Sequence, residues 1–488
     1  MSTGSTTRRH FLQASSAVGA SLLLTGTRAS GRVIGANDRV RMAIIGVNSR
    51  GKAHIDGFGR MKDVDLAYIV DADENVLAKT MSSVDKATGG NHNCKTETDI
   101  RKVLEDPSID AISIATPNHW HSLMTIWGAQ HGKHVYVEKP MSHDIAEGRV
   151  AVAAQEKYGV VIQHGTQRRS DAGIAGLHEA LQDGRLPKVK IAYGYACKPR
   201  RGIGFKQPST PPSNLHWDLW KGPAVIDEYH ANLVPYNWHW FWPTGNGELN
   251  NQGTHQLDVA RWALDPELTH PVRAMAIGGR FAWDDQGETP NTMYGIAEYP
   301  NGQYLMFNVR NWEHKNYKME VTNEYYLEDG SLIVGEGRYK IRRPGSSEFE
   351  PLDLPRGKVT PGGNWRAFIS AVKAGDPSMA NGNVHDAHNA CVVGHVINNS
   401  YRLGEEVPFD EKAVKFGDNA DAAEHFLRLH EMLKKDGGLT HDANYTVGPW
   451  LQFDPETERF VGDHADEANV LVKDRNNTGF EVPSVENV

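Results

Sequence analysis

The sequence predicts an α/β chain in which a doubly wound parallel-sheet domain precedes an α+β domain whose sheet is mostly antiparallel. Three observations carry that prediction. Short apolar runs alternate with helix-like segments from Arg39 to Ile162, the order of a parallel sheet with crossover helices. The first apolar run, Val40 to Ile45, passes straight into a glycine-containing turn and then into the helix-like Lys52 to Met61. From Gln163 the texture changes, and strand-like runs succeed one another with few helices between them.

In chain order, Gly46-Val47-Asn48-Ser49-Arg50-Gly51 joins the first strand to the first helix. Gly46 suits a tight turn, and Gly51 suits close packing of the helix against the strand. Ser49 and Arg50 sit where the helix N-terminus receives a pyrophosphate. Asn48 stands where the usual pattern has its middle glycine. Asparagine tolerates positive φ, and its side chain either displaces the pyrophosphate slightly or donates to it. The next strand, Asp65 to Val70, ends in Asp71, twenty residues beyond Gly51, where an acid binds ribose hydroxyls. Asp71-Ala72-Asp73-Glu74 has three acids and no base, so a 2′-phosphate would be repelled and NAD is expected over NADP. An N-cap role for the aspartate is compatible with that.

A helix from Ile100 to Glu105 and a strand from Ile109 to Ala115 lead to Thr116-Pro117-Asn118-His119-Trp120-His121, expected as a polar loop on the cofactor side. The helix Ser122 to Gly132 then feeds Val135-Tyr136-Val137 and Glu138-Lys139-Pro140. A lysine leaving a buried strand there faces the crevice at the carboxyl edge of the sheet, where doubly wound folds bind ligands. Lys139 is therefore the first candidate for chemistry. A helix from Ile145 to Tyr158 and a strand from Val160 to Ile162 complete a domain placed at 38–163.

The second domain, placed at 164–437, has strand candidates at Val189 to Tyr195, Val272 to Ile277, Thr292 to Glu298, Tyr304 to Val309 and Lys318 to Asn323. Trp365 to Ala374 and Ala387 to Leu403 read as helices. Tyr236-Asn237-Trp238-His239-Trp240-Phe241-Trp242 is dense in aromatic rings, which suit either a platform for a sugar's apolar face, Trp238 being the substrate-binding candidate among them, or a plain loop core. Gly253 to Trp262 reads as a helix with Asn251, His255 and Asp258 on one face. A histidine near Lys139 could shuttle a proton at neutral pH. Residues 438–488 are expected as a tail that packs back or stays mobile.

The totals narrow the function classes. With 488 residues, 39% of them hydrophobic, the chain can bury more than one core. A net charge of −9 offers no basic field for nucleic acid. No apolar run after the N-terminus is long enough to span a bilayer. Three widely spaced cysteines indicate neither a disulfide framework nor a metal site, and no metal is expected at His119 and His121, which lack a completing carboxylate or thiol. Residues 1–30, with Arg8-Arg9-His10-Phe11-Leu12 ahead of a mildly apolar run, resemble a twin-arginine signal; the expected setting is periplasmic or otherwise exported, folded with cofactor.

Taken in order, the Gly46–Gly51 turn, Thr116–His121, Glu138-Lys139-Pro140 and Gly253-Thr254-His255-Gln256-Leu257-Asp258 resemble the glucose–fructose oxidoreductase, inositol dehydrogenase and rhizopine-catabolism family, Gfo/Idh/MocA, from about Arg39 to Gly437. The resemblance implies a Rossmann domain, a second domain with an open antiparallel sheet that commonly mediates homo-oligomers, and hydride transfer between a sugar-like alcohol and NAD(P). It implies that Lys139 contacts the substrate hydroxyl and the nicotinamide ribose and that His255 takes the hydroxyl proton. Thr116, Pro117, Asn118 and His121 would line the cofactor, with Glu138 on its ribose side. Gln167 and Arg168 would sit near nicotinamide and substrate, and Asp258 would orient the histidine or a substrate hydroxyl. Asn251 departs from the pattern, since many relatives have aspartate there; asparagine positions a hydroxyl without adding basicity. The expected activity is an exported NAD-dependent oxidoreductase of a carbohydrate or cyclitol. The alternatives are a glycosidase that transiently oxidises a ring hydroxyl and a non-catalytic sugar-binding protein.

Overall fold

The computed structural model describes residues 39–417, 419–473 and 476–488. The twin-arginine segment lies outside the described residues. Among them no helix is long and apolar enough to cross a membrane.

The first sheet is built from β1 (Val40–Ile45), β2 (Val64–Val70), β3 (Lys95–Glu97), β4 (Ala111–Ile114), β5 (His134–Val137) and β6 (Ile162–His164), interleaved with α1 (Arg50–Gly59), α2 (Glu74–Thr88), α3 (Ile100–Leu104), α4 (Asn118–Gln130) and α5 (Ile145–Tyr158). The strand order is β3-β2-β1-β4-β5-β6, and every pairing is parallel. The order reverses at β1, so a crevice opens between the loops that follow β1 and β4. Local chemistry sets the helix ends: Asp73 and Asp144 cap α2 and α5, and Gly89 and Gly159 close them in the left-handed conformation.

The second sheet follows α6 (Ala172–Gln182). Its strands are β7 (Val189–Cys197), then, after α7 (Trp217–Lys221), α8 (Gly247–Asn251) and α9 (Gly253–Trp262), the run β8 (Arg273–Gly279), β9 (Thr292–Glu298), β10 (Tyr304–Arg310), β11 (Glu320–Leu327), β12 (Leu332–Gly335), β13 (Tyr339–Arg342) and β14 (Glu350–Leu352). After α10 (Gly363–Ala374) and α11 (Val384–Arg402) come β15 (Glu405–Pro408), α12 (Ala420–Lys435), β16 (Asn444–Val447), β17 (Leu451–Asp454), β18 (Arg459–Val461) and α13 (Ala465–Val470). The order β14-β13-β12-β11-β7-β10-β9-β8-β16-β15 is antiparallel except for the parallel pair β7 and β10. Leu257 and Ala260 of α9 and Val392 and Val396 of α11 pack on one face. The other face carries Phe426, Leu429 and Leu433 of α12 against Tyr193, Ile277 and Ile296.

The structure corrects several sequence boundaries. Asn118 to His121 form the first turn of α4 rather than a polar loop, because Pro117 occupies the N-cap and His119, Trp120 and His121 are buried by tertiary contacts. The strand expected at Val160 to Ile162 lies at Ile162–His164, since the Val161 amide is taken by the His134 ring. Of the two outcomes expected for the chain after Gly437, packing back is the one seen among the described residues. β16 and β17 pair with β8, and Val482 and Val488 are buried with Ile100, Leu104 and Val135 in the core of the first sheet. Residues 164–437 do not serve one domain alone either. Phe368 and Val372 of α10 pack on β1 of the first sheet, and Val384 and Cys391 of α11 do likewise while its later turns serve the second core. Cys197 and Cys391 are buried, whereas Cys94 is only half-buried; all three are free.

Candidate active site

A cleft of about 430 Å³ runs along the carboxyl edge of the first sheet and ends against α8, α9 and the 236–240 aromatic segment. That volume is in the range of small-molecule sites. The glycine turn shapes one wall. Gly46 has φ +77, and a Cβ there would lie 2.6 Å from the Thr116 amide; a Cβ on Gly51 would lie 1.9 Å from the Gly46 carbonyl, so α1 seats only with glycine. Asn48, Ser49 and Arg50 line the cleft, while Gly51 lies beneath the turn. Ser49 lines the cleft and makes no side-chain cap to α1, so the helix end that meets the cleft is uncapped by a side chain. Asp71 accepts from the Val47 amide at 2.9 Å and the Asp73 amide at 3.1 Å, and burial pushes its carboxyl up to about 6. One acid thus braces the turn and faces the cleft. The Thr116 hydroxyl, also lining it, is buried without a partner. An uncapped helix terminus, a strand-end acid and an orphaned hydroxyl in one groove fit the diphosphate, ribose and nicotinamide portions of a dinucleotide.

His121 lines the cleft together with Thr116 and Pro117. Its ring bridges the Pro140 carbonyl at 2.6 Å and the Thr116 carbonyl at 2.9 Å, tying the turn after β4 to the turn after β5. Burial lowers its pKa, so the ring is neutral and one of the two carbonyls receives its single N–H. Asn118 donates to Asn246 at 3.1 Å, and Pro117 lines the wall beside it.

Lys139 leaves β5 at the bottom of the cleft, and its ammonium donates to the Asn251 carbonyl at 2.7 Å and to the Asn251 Oδ1 at 3.1 Å. Burial lowers its pKa, with Glu138 and Glu248 opposing. Glu138 accepts from Arg50 at 2.7 Å and stands 3.1 Å from the His54 ring; burial would raise its carboxyl, but His54 and Arg50 hold it well below the ordinary range. Behind Asn251, its amide donates to Glu248 at 3.1 Å, and Glu248 is gripped by Arg200 at 2.8 and 3.1 Å. His255 lines the same cleft, 8% exposed, with Nδ1 buried and unpartnered. Burial and then the Lys139 charge keep its pKa well below 6.5, so it is a neutral base at pH 7.

Gln167 and Trp238 line the cleft, and Trp238 stacks on His239 with centroids 3.5 Å apart while its other side joins the loop core of Leu233 and Phe241. Trp238 thus belongs to the loop core while lining the cleft. Arg168 and Asp258 do not line the cleft. Arg168 pairs with Glu336, and both carboxylate oxygens of Asp258 accept from Arg169, at 2.9 to 3.1 Å. Asp258 therefore steadies α9 against Arg169 and orients neither His255 nor substrate. Trp120, Lys198, Arg200 and Glu248 line or support the cleft and were not singled out from sequence. The basic run Lys198-Pro199-Arg200-Arg201 after β7 was the available signal.

Away from the cleft, among the described residues, His270, His388 and Glu458 form a buried group with metal-ligand chemistry. The two Nε2 atoms lie 3.2 and 3.0 Å from the Glu458 Oε1, and both Nδ1 atoms are buried without partners. Protons on Nε2 give two hydrogen bonds to the carboxylate. Metal ligation through Nε2 would move each proton to Nδ1 and strand two buried donors. The group is therefore read as a hydrogen-bonded clamp joining the chain after β17 to α11.

Comparison with known proteins agrees with this geometry. The profile of the oxidoreductase family with an NAD-binding Rossmann fold matches residues 40–166, and that of the GFO/IDH/MocA C-terminal domain matches residues 220–333. The uncharacterized oxidoreductase YrbE of Bacillus subtilis is 31% identical over 313 residues, covering 64% of this chain and 78% of that protein. Inositol 2-dehydrogenase of Rhodococcus jostii is 24% identical over 342 residues, covering 67% and 77%. Among solved structures, levoglucosan dehydrogenase in complex with NADH and levoglucosan shares the fold with a TM-score of 0.54 at 17% identity, over 74% of this chain and 96% of that one. With a glycine turn over an uncapped helix, a lysine and a histidine in one cleft, and both halves matched, this chain belongs to the GFO/IDH/MocA family of NAD-binding oxidoreductases.

Proposed function

We propose that the protein is a sugar or cyclitol dehydrogenase that exchanges hydride between a secondary alcohol and tightly held NAD, and that it works after export by the twin-arginine route. The observation that carries this is the convergence of the Lys139 ammonium and the neutral His255 ring on one cleft at the end of β5. NAD, when bound, supplies the acceptor for the hydrogen and electron pair leaving the alcohol carbon. Lys139, oriented by Asn251, donates to the substrate oxygen and stabilises the negative charge that develops there. His255 takes the hydroxyl proton on its ring, and its low pKa keeps it free to do so. Trp120 and Trp238 wall the cleft with apolar surface and exclude water. Asp71 and Asp73 along the nucleotide end support NAD over NADP, since a further phosphate would meet their carboxylates.

The test is to identify the nucleotide released by acid. The nucleotide-loaded protein is then mixed with free sugars, cyclitols and aryl glycosides, while reduced nicotinamide and aglycone are followed together. Release of NAD, with reduction by a polyol or sugar and reoxidation by a keto-sugar, is the expected result. Recovery of mainly NADP would overturn the cofactor assignment. Sustained aglycone release without net reduction would replace the dehydrogenase with a redox glycosidase.

A further inference from the structure

We infer that the sugar taken by this cleft is acidic, carrying a carboxylate, sulfate or phosphate that is seated on Lys198 beside Arg200. The inference rests on the sugar-oxidising reading above and specifies its substrate class.

Lys198-Pro199-Arg200 leaves β7 in an extended path held from both sides by Asn311, whose amide donates to the Lys198 carbonyl at 2.9 Å and whose carbonyl accepts from the Arg200 amide at 2.8 Å. Pro199 is exposed, and the residues on either side of it, Lys198 and Arg200, line the cleft. In an extended segment alternate residues share a face, which is how one short run offers two cations to one cavity. Arg200 is engaged: Nε and Nη2 hold Glu248 at 3.1 and 2.8 Å, and Nη1 donates to the Tyr236 hydroxyl at 3.2 Å. Lys139 rests on the two uncharged oxygens of Asn251. Lys198 is half-buried and has no hydrogen bond or ion pair from its ammonium to any described residue.

Four cations, Arg50, Lys139, Lys198 and Arg200, thus meet two carboxylates, Glu138 and Glu248, around the substrate end. The other acids of the cleft lie toward its nucleotide end: Asp71 at the glycine turn, Asp73 at the start of α2, and Asp99 paired with Arg101. Asn251 sharpens the imbalance, because an aspartate there would have paired Lys139 directly. Oxidised nicotinamide adds a further positive charge when the cofactor is loaded. Inside low-dielectric walls such an excess attracts an anion, whereas a neutral sugar offers only hydroxyls to an ammonium that needs a counter-charge. Lysine suits this seat, since a point charge with rotatable donors accepts a carboxylate or an ester oxyanion alike.

The experiment uses the full nucleotide-loaded chain. Calorimetric affinities and rates of cofactor reduction are measured for glucose, galactose and myo-inositol, and for glucuronate, galacturonate and the phosphates and sulfates of the same hexoses, at low and high salt. At least one acidic sugar is expected to bind about tenfold or more tightly than its neutral parent, with an advantage that shrinks as salt rises. The acid that gains most identifies carboxylate, sulfate or phosphate as the group recognised. Lys198→Met should erase the advantage and Lys198→Arg should keep most of it, with melting temperature and nucleotide content confirming that both variants fold. If Lys198→Met fails to fold, the salt dependence of the wild-type chain decides. Binding and turnover of neutral sugars as good as those of every acid, or a Lys198→Met variant that keeps the advantage, would overturn the inference while leaving the dehydrogenase reading intact. No binding and no cofactor reduction with any of these compounds would sink the sugar-oxidising reading itself, and this inference with it.

Discussion

Lys139 places its ammonium on the carbonyl and the amide oxygen of a single residue, Asn251, so its geometry is set without neutralising its charge. Replacing it removes a preorganised donor at the substrate oxygen. Lys139→Met is expected to lower kcat by about 10²- to 10³-fold, read from single-turnover reduction of bound nucleotide, while acid release shows the nucleotide still present. Wild-type rates in this variant would exclude the site. For His255 the sign follows from burial. Its pKa lies well below 6.5, so the neutral ring that acts as base persists as pH falls past 6.5 and is lost only in more acid solution. The acid limb of the kcat/KM profile is therefore expected below pH 6.5, and a limb centred at or above that value would assign it to another group. Lys139, His255 and the Gly46–Gly51 turn were legible in sequence because each follows a recognisable strand or helix end. Arg168 and Arg169 show the opposite case: they are adjacent, and only packing decides that Arg169 meets Asp258 while Arg168 turns to Glu336.

At the scale of elements, helix ends were announced by their capping chemistry and strand ends less clearly. Asp144 and Gly159 bracket α5 where the sequence expects a helix from Ile145 to Tyr158. The start of α4 was missed because four polar and aromatic residues in a row carry no helical periodicity; what makes them a turn of helix is burial against α7, where Trp120 donates to the Leu219 and Trp220 carbonyls. The attachment of α10 was equally hidden. Both arms of Arg366 reach Asp63 at 2.8 Å, Lys373 adds a contact at 3.3 Å, and the Arg366 bonds bring the Asp63 carboxyl down to about 2. A depressed acid contributes stability above its unfolded pKa and loses it as pH falls through the folded value. Asp63→Asn is therefore expected to cost about 1 kcal/mol at pH 7, discounted for partial solvent screening, and the difference should disappear as pH falls from about 4 to about 2. Urea unfolding of both proteins across that interval checks it, and a constant difference would deny the ion pair.

At the scale of the whole molecule, the residues after Gly437 hold the two cores together. Phe480 meets the Trp120 ring edge-on at 5.4 Å, Asn477 donates to the Gly222 and Ala224 carbonyls, and Glu458 receives the His270 and His388 rings. Phe480→Ala should remove packing from a partly buried ring at about 2 kcal/mol and loosen Trp120, which lines the cleft, so both melting temperature and nucleotide retention should fall. Lower stability with unchanged nucleotide retention would separate the strap from the site.

What the sequence by itself determined is what short-range spacing determines: alternating strands and helices, the glycine turn, the acid at the end of β2, the lysine at the end of β5 and the histidine on α9. Each depends on residues close together in the chain, where backbone geometry fixes direction. Only the tertiary structure decided which side chains share a partner. Lys139 meets Asn251 across 112 residues, Arg169 meets Asp258 across 89, and Arg200 meets Glu248 across 48. It also decided that α12 packs on one face of the second sheet and that the C-terminal segment contributes to both cores. Such pairings depend on which buried charges can be satisfied at once in a close-packed interior, and that condition is set by the packing of distant segments rather than by local sequence.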